Sequence, residues 1–113
     1  MNQVLISISP RDFSFIVEEN LSHIFSIFAE AKVKMNLLQN SALNLSVSVD
    51  HNEKVEPLLK QLQEKYKVKY NDSLELVTIR HYDQPTIDRV TADKEILLEQ
   101  KSRFTARMVM RNK

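Results

Sequence analysis

The chain has 113 residues, 42% of them apolar and 27% charged, with sixteen basic against fifteen acidic side chains and a formal charge of +1. This is ordinary globular usage for one compact domain, or one domain and part of a second. It excludes disorder and fibrous repeats and leaves no cationic surplus for nucleic acid or anionic membrane. Cysteine is absent, which removes disulfides, thiolate catalysis and Cys-type zinc sites, and glycine is absent, which removes the glycine-rich loops that cradle nucleotide phosphates. Apolar runs fall far short of the roughly 20 residues that span a bilayer and no leader pattern opens the chain, so a cytoplasmic, soluble domain is expected.

Val4, Ile6 and Ile8 alternate with Ser7 and Ser9, a half-buried strand that Pro10 ends. From Val17 the period changes: Val17, Leu21, Ile24, Phe25 and Phe28 form the apolar stripe of a helix running to about Ala31, with Glu18 and Glu19 at the positive end of its dipole. Alternation returns at Val33, Met35 and Leu37. Gln39-Asn40-Ser41 then reads as a turn, and Leu43, Leu45, Val47 and Val49 alternate with Asn44, Ser46, Ser48 and Asp50, completing a hairpin. After a capping cluster at Asp50-His51-Asn52, Val55, Leu58, Leu59, Leu62 and Tyr66 give a second helical stripe. Pro57 fits only its first turn, so this helix starts near Glu53 or Lys54. Val68 to Tyr70 is a short strand and Asn71-Asp72-Ser73 a turn. Residues 1–70 therefore read β-α-β-β-α-β, an α+β arrangement in ferredoxin-like order.

Residues 73–113 look like the opening of a second, truncated copy. Leu74 to Arg80 is apolar on both faces, as a central strand is, and Pro85 begins a short helix around Ile87 and Val90. The stretch from Glu95 to Arg103 carries helix formers in a short, densely apolar run, and Phe104, Ala106, Met108 and Met110 alternate as a strand. This partial βαββ unit either lacks its closing helix and strand or completes itself on a partner.

No catalytic constellation stands out. His23, His51 and His81 lack a nucleophile or carboxylate at motif spacing and read as surface histidines. Lys101, Arg103, Arg107, Arg111 and Lys113 form a basic C-terminal cluster that reads first as a solvated strand face and second as a phosphate-binding patch. The polar group Asn36, Gln39, Asn40 and Ser41 reads either as turn chemistry or as a zwitterion site, because an amino acid needs acceptors for its ammonium and donors for its carboxylate.

Taken in order, these segments resemble a known family. The strand Val4–Ser9, the helix from Asn20 to Phe28, the run Val33-Lys34-Met35-Asn36-Leu37-Leu38-Gln39-Asn40-Ser41-Ala42 and the strand Leu43–Asp50 resemble the first regulatory ACT domain of aspartate kinase. Leu74 to His81 looks like the strand that opens the second ACT domain, and Glu95 to Arg111 like its central β-hairpin, turning near Ser102.

The resemblance implies a ferredoxin-like ACT domain (residues 1–72) followed by a partial ACT-like βαββ unit (residues 73–113). It implies a parent enzyme that phosphorylates aspartate with ATP, using ATP and Mg in an N-terminal kinase domain that this chain lacks. The chain itself would then be a regulatory fragment with no catalytic residues, metal or cofactor. It would bind an end-product amino acid, lysine or threonine, at an ACT–ACT interface in a homodimer and signal to that kinase domain, without nucleic acid or membrane. The family's effector position maps onto Glu19 and Asn20 before the first helix and onto Asn36, Gln39, Asn40 and Ser41 on the strand side. Two departures accompany it: Glu18 and Glu19 stand where the family usually carries Gly, and Asn36 where lysine-sensitive members often carry Asp. The alternatives are a ligand-free dimerisation module and a small acylphosphatase-like hydrolase using Asn40 with Arg11 or Arg80.

Overall fold

In the computed structural model, which describes residues 2–12 and 16–112, the elements run β1 (Gln3–Pro10), α1 (Glu18–Ala31), β2 (Leu37–Asn40), β3 (Leu45–Asp50), α2 (Val55–Gln63), β4 (Tyr66–Arg80), α3 (Gln84–Thr91), β5 (Lys94–Lys101) and β6 (Thr105–Asn112). The strands form one antiparallel sheet in the order β2-β3-β1-β4-β6-β5. This is the expected α+β architecture: a ferredoxin-like β-α-β-β-α-β run, followed by a partial unit that continues the same sheet.

Register turns the alternating sequence into a core. Val4 lies opposite Val49, Ile6 opposite Val47 and Ile8 opposite Leu45, so six buried branched side chains share one face of β1 and β3. Ile24, Ile27 and Phe28 of α1 and Val55, Leu58, Leu59 and Leu62 of α2 close over them. The reverse face carries a second cluster. Leu5 and Leu37 meet Leu74, Leu76, Leu97, Leu98 and Val109, so the β5–β6 half of the sheet folds back across the rear of the first half. The side-chain amide of Gln100 in β5 donates to the carbonyl of Leu38 in β2 at 2.6 Å, tying the two outer strands together. Strand β3's polar side is consequently not outward-facing as its alternation suggests: Ser48 is fully buried.

The bend that permits this lies inside β4. Residues 71–73, expected to be a turn, stay within one fifteen-residue strand whose first part pairs with β1 and whose second part pairs with β6. The register slips between Gln3 and Leu5, and Ser73 takes a left-handed φ of 57°. In a chain without glycine such positions fall to other residues, here Lys32, Ser73, His81 and Asp93.

Other local readings shift. Strand β2 begins at Leu37 rather than Val33, Gln39 and Asn40 belong to it, and the turn occupies residues 41–44, leaving Leu43 exposed. Tyr66 opens β4 instead of closing α2, and Phe104 sits in the β5–β6 turn. Glu95–Lys101 is strand despite its helix formers, because the ladder from Glu95–Arg111 to Lys101–Ala106 outweighs a weak local propensity.

Candidate functional site

The path from β1 into α1 is fixed at two points. Val17 is extended (φ −117°, ψ 173°) and caps the helix, and its backbone N–H donates to Asn20 Oδ1 at 3.0 Å. One residue earlier, Ile16 N–H donates to the Ala42 carbonyl at 2.8 Å, stitching the start of α1 to the turn between β2 and β3. Between the two lies an open cavity of about 590 Å³ lined by Ile16, Val17, Glu18, Glu19, Leu21 and Asn40.

The lining has two kinds of polar group. Glu18 and Glu19 supply acceptors for a cation, and the amide of Asn40 can both donate and accept. The first-turn N–H groups of any α-helix have no intrahelical carbonyl and favour an anion, so an ammonium and a carboxylate both find complements at this end of α1. Ile16, Val17 and Leu21 add an apolar wall that sequence reasoning did not single out, although Val17 and Leu21 had been assigned to the helical stripe.

Alternation along β2 separates the strand-side candidates. Leu38 packs into the helix-covered core while Leu37 packs into the rear cluster, so Asn40 falls on the α1 side and Gln39 on the other. Gln39 and Ser41 line a second cavity of about 450 Å³ with Asn44 and Ser46, facing residues 96–99 of β5. The Ser41 hydroxyl accepts from Asn44 N–H at 3.1 Å and donates to Asn44 Oδ1 at 3.0 Å, which pins the turn.

Asn36 is engaged inside the protein. Its side-chain amide donates to Gln3 Oε1 at 3.0 Å and to Asp50 Oδ1 at 2.8 Å. Gln3 in turn donates to Asp50 Oδ1 at 2.7 Å and accepts from the Ser48 hydroxyl at 2.8 Å. Gln3 and Asp50 lie opposite each other in the β1–β3 ladder, a register that no local stretch of sequence discloses. Of the six predicted residues, then, Glu19 and Asn40 share one cavity, Gln39 and Ser41 another, Asn20 accepts from the N–H of the cap residue Val17 and Asn36 sits in the Gln3–Asp50 network. Glu19 and Asn20 both lie in the first turn of α1 rather than in the loop before it. His23, read as a surface group, is half-buried with Nδ1 2.9 Å from the Tyr66 hydroxyl. No described helix is long and apolar enough to cross a membrane.

No family model matches the sequence, and no curated protein matches it. Solved structures do. The putative C-terminal regulatory domain of aspartate kinase from Porphyromonas gingivalis W83 superimposes with a TM-score of 0.76 at 11% identity, over 96% of this chain and 79% of that one. The ligand-free regulatory subunit of aspartate kinase from Thermus thermophilus gives 0.64 at 13% identity, over 96% and 82%. Escherichia coli aspartokinase III, in its T-state complex with lysine and aspartate, gives 0.73 at 16% identity over 96% of this chain. The chain spans only 27% of that enzyme's length. At these identities the likeness is one of architecture: the chain shares the fold seen in these regulatory domains.

Proposed function

We propose that the chain is the regulatory part of an aspartate kinase, non-catalytic by itself, and that it binds an end-product amino acid, lysine or threonine. The observation that carries this reading is the fold, shared over 96% of the chain with regulatory domains of that enzyme. The cavity at the start of α1 adds to it, since Glu19 and Asn40 meet there with complements for both ends of a zwitterion. In this reading the effector's ammonium lies against Glu18 and Glu19, its carboxylate against the first-turn amides of α1 and Asn40, and its side chain against Ile16, Val17 and Leu21. Asn36 acts indirectly, by holding β1, β3 and the approach to β2 in register, and Gln39 and Ser41 serve the mouth of the second cavity.

Signalling follows from population shift. An effector that binds one arrangement of paired ACT units better than another biases the pair, and the bias passes to a kinase domain N-terminal to this chain. The two halves, residues 1–72 and 73–113, act as one body in this scheme because β4 runs through both. Homodimerisation through the outer strands supplies the second copy.

The test is a thermal-shift screen of the twenty amino acids followed by calorimetry. Lysine or threonine should raise the melting temperature in a saturable way, a ligand at a hundred times its Kd stabilising by about 2.7 kcal/mol. Glu19→Gln and Asn40→Ala should each weaken binding about tenfold. A folded protein that responds to none of the twenty overturns the reading and leaves the ligand-free dimerisation module in its place.

A further inference from the structure

Beyond the core, one face of the second half-sheet gathers positive charge. Leu76 lies opposite Val109, Thr78 opposite Arg107 and Arg80 opposite Thr105, so these six side chains share one side of β4 and β6. Leu76 and Val109 belong to the cluster between the half-sheets. Further along, Thr78, Arg80, Thr105 and Arg107 join His81 and Phe104 in lining an open cavity of about 550 Å³. Arg80 and Arg107 are diagonal neighbours across the two strands, about 7–8 Å apart in such a ladder, close enough for both guanidinium groups to reach one small ligand.

The surroundings leave this charge uncompensated. No carboxylate lines the cavity, and among the described residues neither Arg80 nor Arg107 has an ion pair or a side-chain hydrogen bond. Two others of the basic C-terminal cluster are committed elsewhere, Lys101 pairing with Glu99 at 3.4 Å and Arg111 with Glu95 at 2.8 Å, and Lys113 lies outside the described residues. Asp83, the next acid along the chain, is turned away and accepts from Thr86 N–H at 2.8 Å to cap α3. Arg103 adds a third cation, its guanidinium 5.1 Å from the centre of the Phe104 ring. His81 is held in a left-handed conformation (φ 53°), its N–H donating to the Phe104 carbonyl and its ring 5.8 Å from that of Phe104.

Like charges placed side by side on neighbouring strands repel unless an anion joins them. A phosphoryl group has three terminal oxygens, enough to accept from two guanidinium groups and a hydroxyl together, where a carboxylate has two. We propose that this cavity binds a phosphate monoester. Arg80 and Arg107 bridge its phosphoryl oxygens, the Thr78 and Thr105 hydroxyls donate to the same group, and the planar part of the ester packs on the exposed ring of Phe104. The site is separate from the cavity at the start of α1 and does not rest on an amino-acid effector binding there.

The probes are phenyl phosphate, inorganic phosphate and benzoate, titrated into the full 113-residue chain with backbone amide NMR as readout. Phenyl phosphate should shift the amides of residues 78–81 and 103–107 saturably, inorganic phosphate the same amides at least threefold more weakly, and benzoate more weakly still. Arg80→Gln and Arg107→Gln should each lower the phenyl phosphate affinity tenfold or more, and Phe104→Ala should erase its advantage over inorganic phosphate. Circular dichroism melts check that each variant is folded. Should Arg107→Gln unfold, the exposed Arg80→Gln decides alone. Absence of saturable shifts at these amides, undiminished binding in a folded arginine variant, or benzoate binding as tightly as phenyl phosphate overturns the proposal.

Discussion

The two halves of the sheet bury their apolar residues by different means. In the first, β1 and β3 are roofed by α1 and α2, and the helices bring Ile24, Ile27, Phe28, Leu58 and Leu62 onto Ile6, Ile8 and Val47, a two-layer core that closes on itself. In the second, α3 is eight residues long and buries only Ile87 among its described residues; β6 is buried on both faces, with Ala106, Met108 and Met110 on one and Val109 on the other, where it and Leu98 pack against the rear face of the first half. A sheet face must be covered by something, and where the helices are too short the sheet covers itself by bending. The first half should therefore hold the second, and not the reverse.

Substitutions in the two cores test this asymmetry directly. Leu62→Ala removes a fully buried side chain from the first core and should cost about 2–5 kcal/mol, with amides of β6 losing protection together with those of β1. Leu98→Ala should cost about 2 kcal/mol, at the low end of that range because Leu98 retains slight exposure, and should loosen β5 and β6 first. Denaturant titration combined with hydrogen exchange reads both. Protection of β6 surviving in Leu62→Ala would break the comparison.

The polar joint between the halves comes next in size. Gln3 lies opposite both Asp50 and Leu74, so it sits where the sheet begins to bend. Gln3→Ala leaves the Ser48 hydroxyl and one Asn36 amide proton without their acceptor in a buried place, which should cost about 1–3 kcal/mol. Gln3→Leu should be no better, because the two orphaned donors remain. A smaller, opposite effect is expected at the bend itself. Ser73→Gly relieves a left-handed conformation that costs a residue with a Cβ about 1–2 kcal/mol, offset by glycine's greater loss of freedom, for a net gain of about 0.5–1 kcal/mol by thermal unfolding.

What the sequence disclosed follows periodicity. β1, α1, β3 and α2 were legible because each keeps a clean period on the face that meets the helix-covered core, and the order of elements followed from them. Asn71-Asp72-Ser73 misled because turn-forming residues mark a change of direction, and a strand can bend at them and stay a strand: β4 changes neighbour from β1 to β6 just beyond them, between Leu74 and Glu75. Glu95–Lys101 was ambiguous because its strand form depends on β6, a contact no local window contains. The lining of the candidate cavities was legible only in part for the same reason. Glu19 and Asn40 lie on elements whose faces are readable, whereas the partners of Asn36 and the diagonal placement of Arg80 beside Arg107 depend on register across strands far apart in sequence.

The smallest effect expected concerns α3, the only described helix of the weaker half. Its cap, Asp83, is fully solvated, and hydrogen bonds from the Thr86 hydroxyl and then the Thr86 N–H, with Arg89 adding a weaker attraction, hold its carboxyl below the ordinary value of 3.8. A depressed value means that the folded state favours the charged carboxylate, so this contribution is whole above pH 3.8 and is lost as the pH falls through the lower folded value. Amides in the first turn of α3 should then lose protection, relative to their intrinsic exchange rates, on acidification, while those of α1, whose N-cap is the non-titrating Val17, do not respond through this route. Asp83→Asn keeps an acceptor oxygen for Thr86 N–H but cannot titrate, so it should flatten the acid dependence at α3 while Asp83→Ala frays the helix at every pH. An Asp83→Asn protein whose α3 amides still open below pH 3.8 would place the acid sensitivity elsewhere, in the contacts that hold α3 against β5, and the two halves would then differ less in their local capping than in their packing.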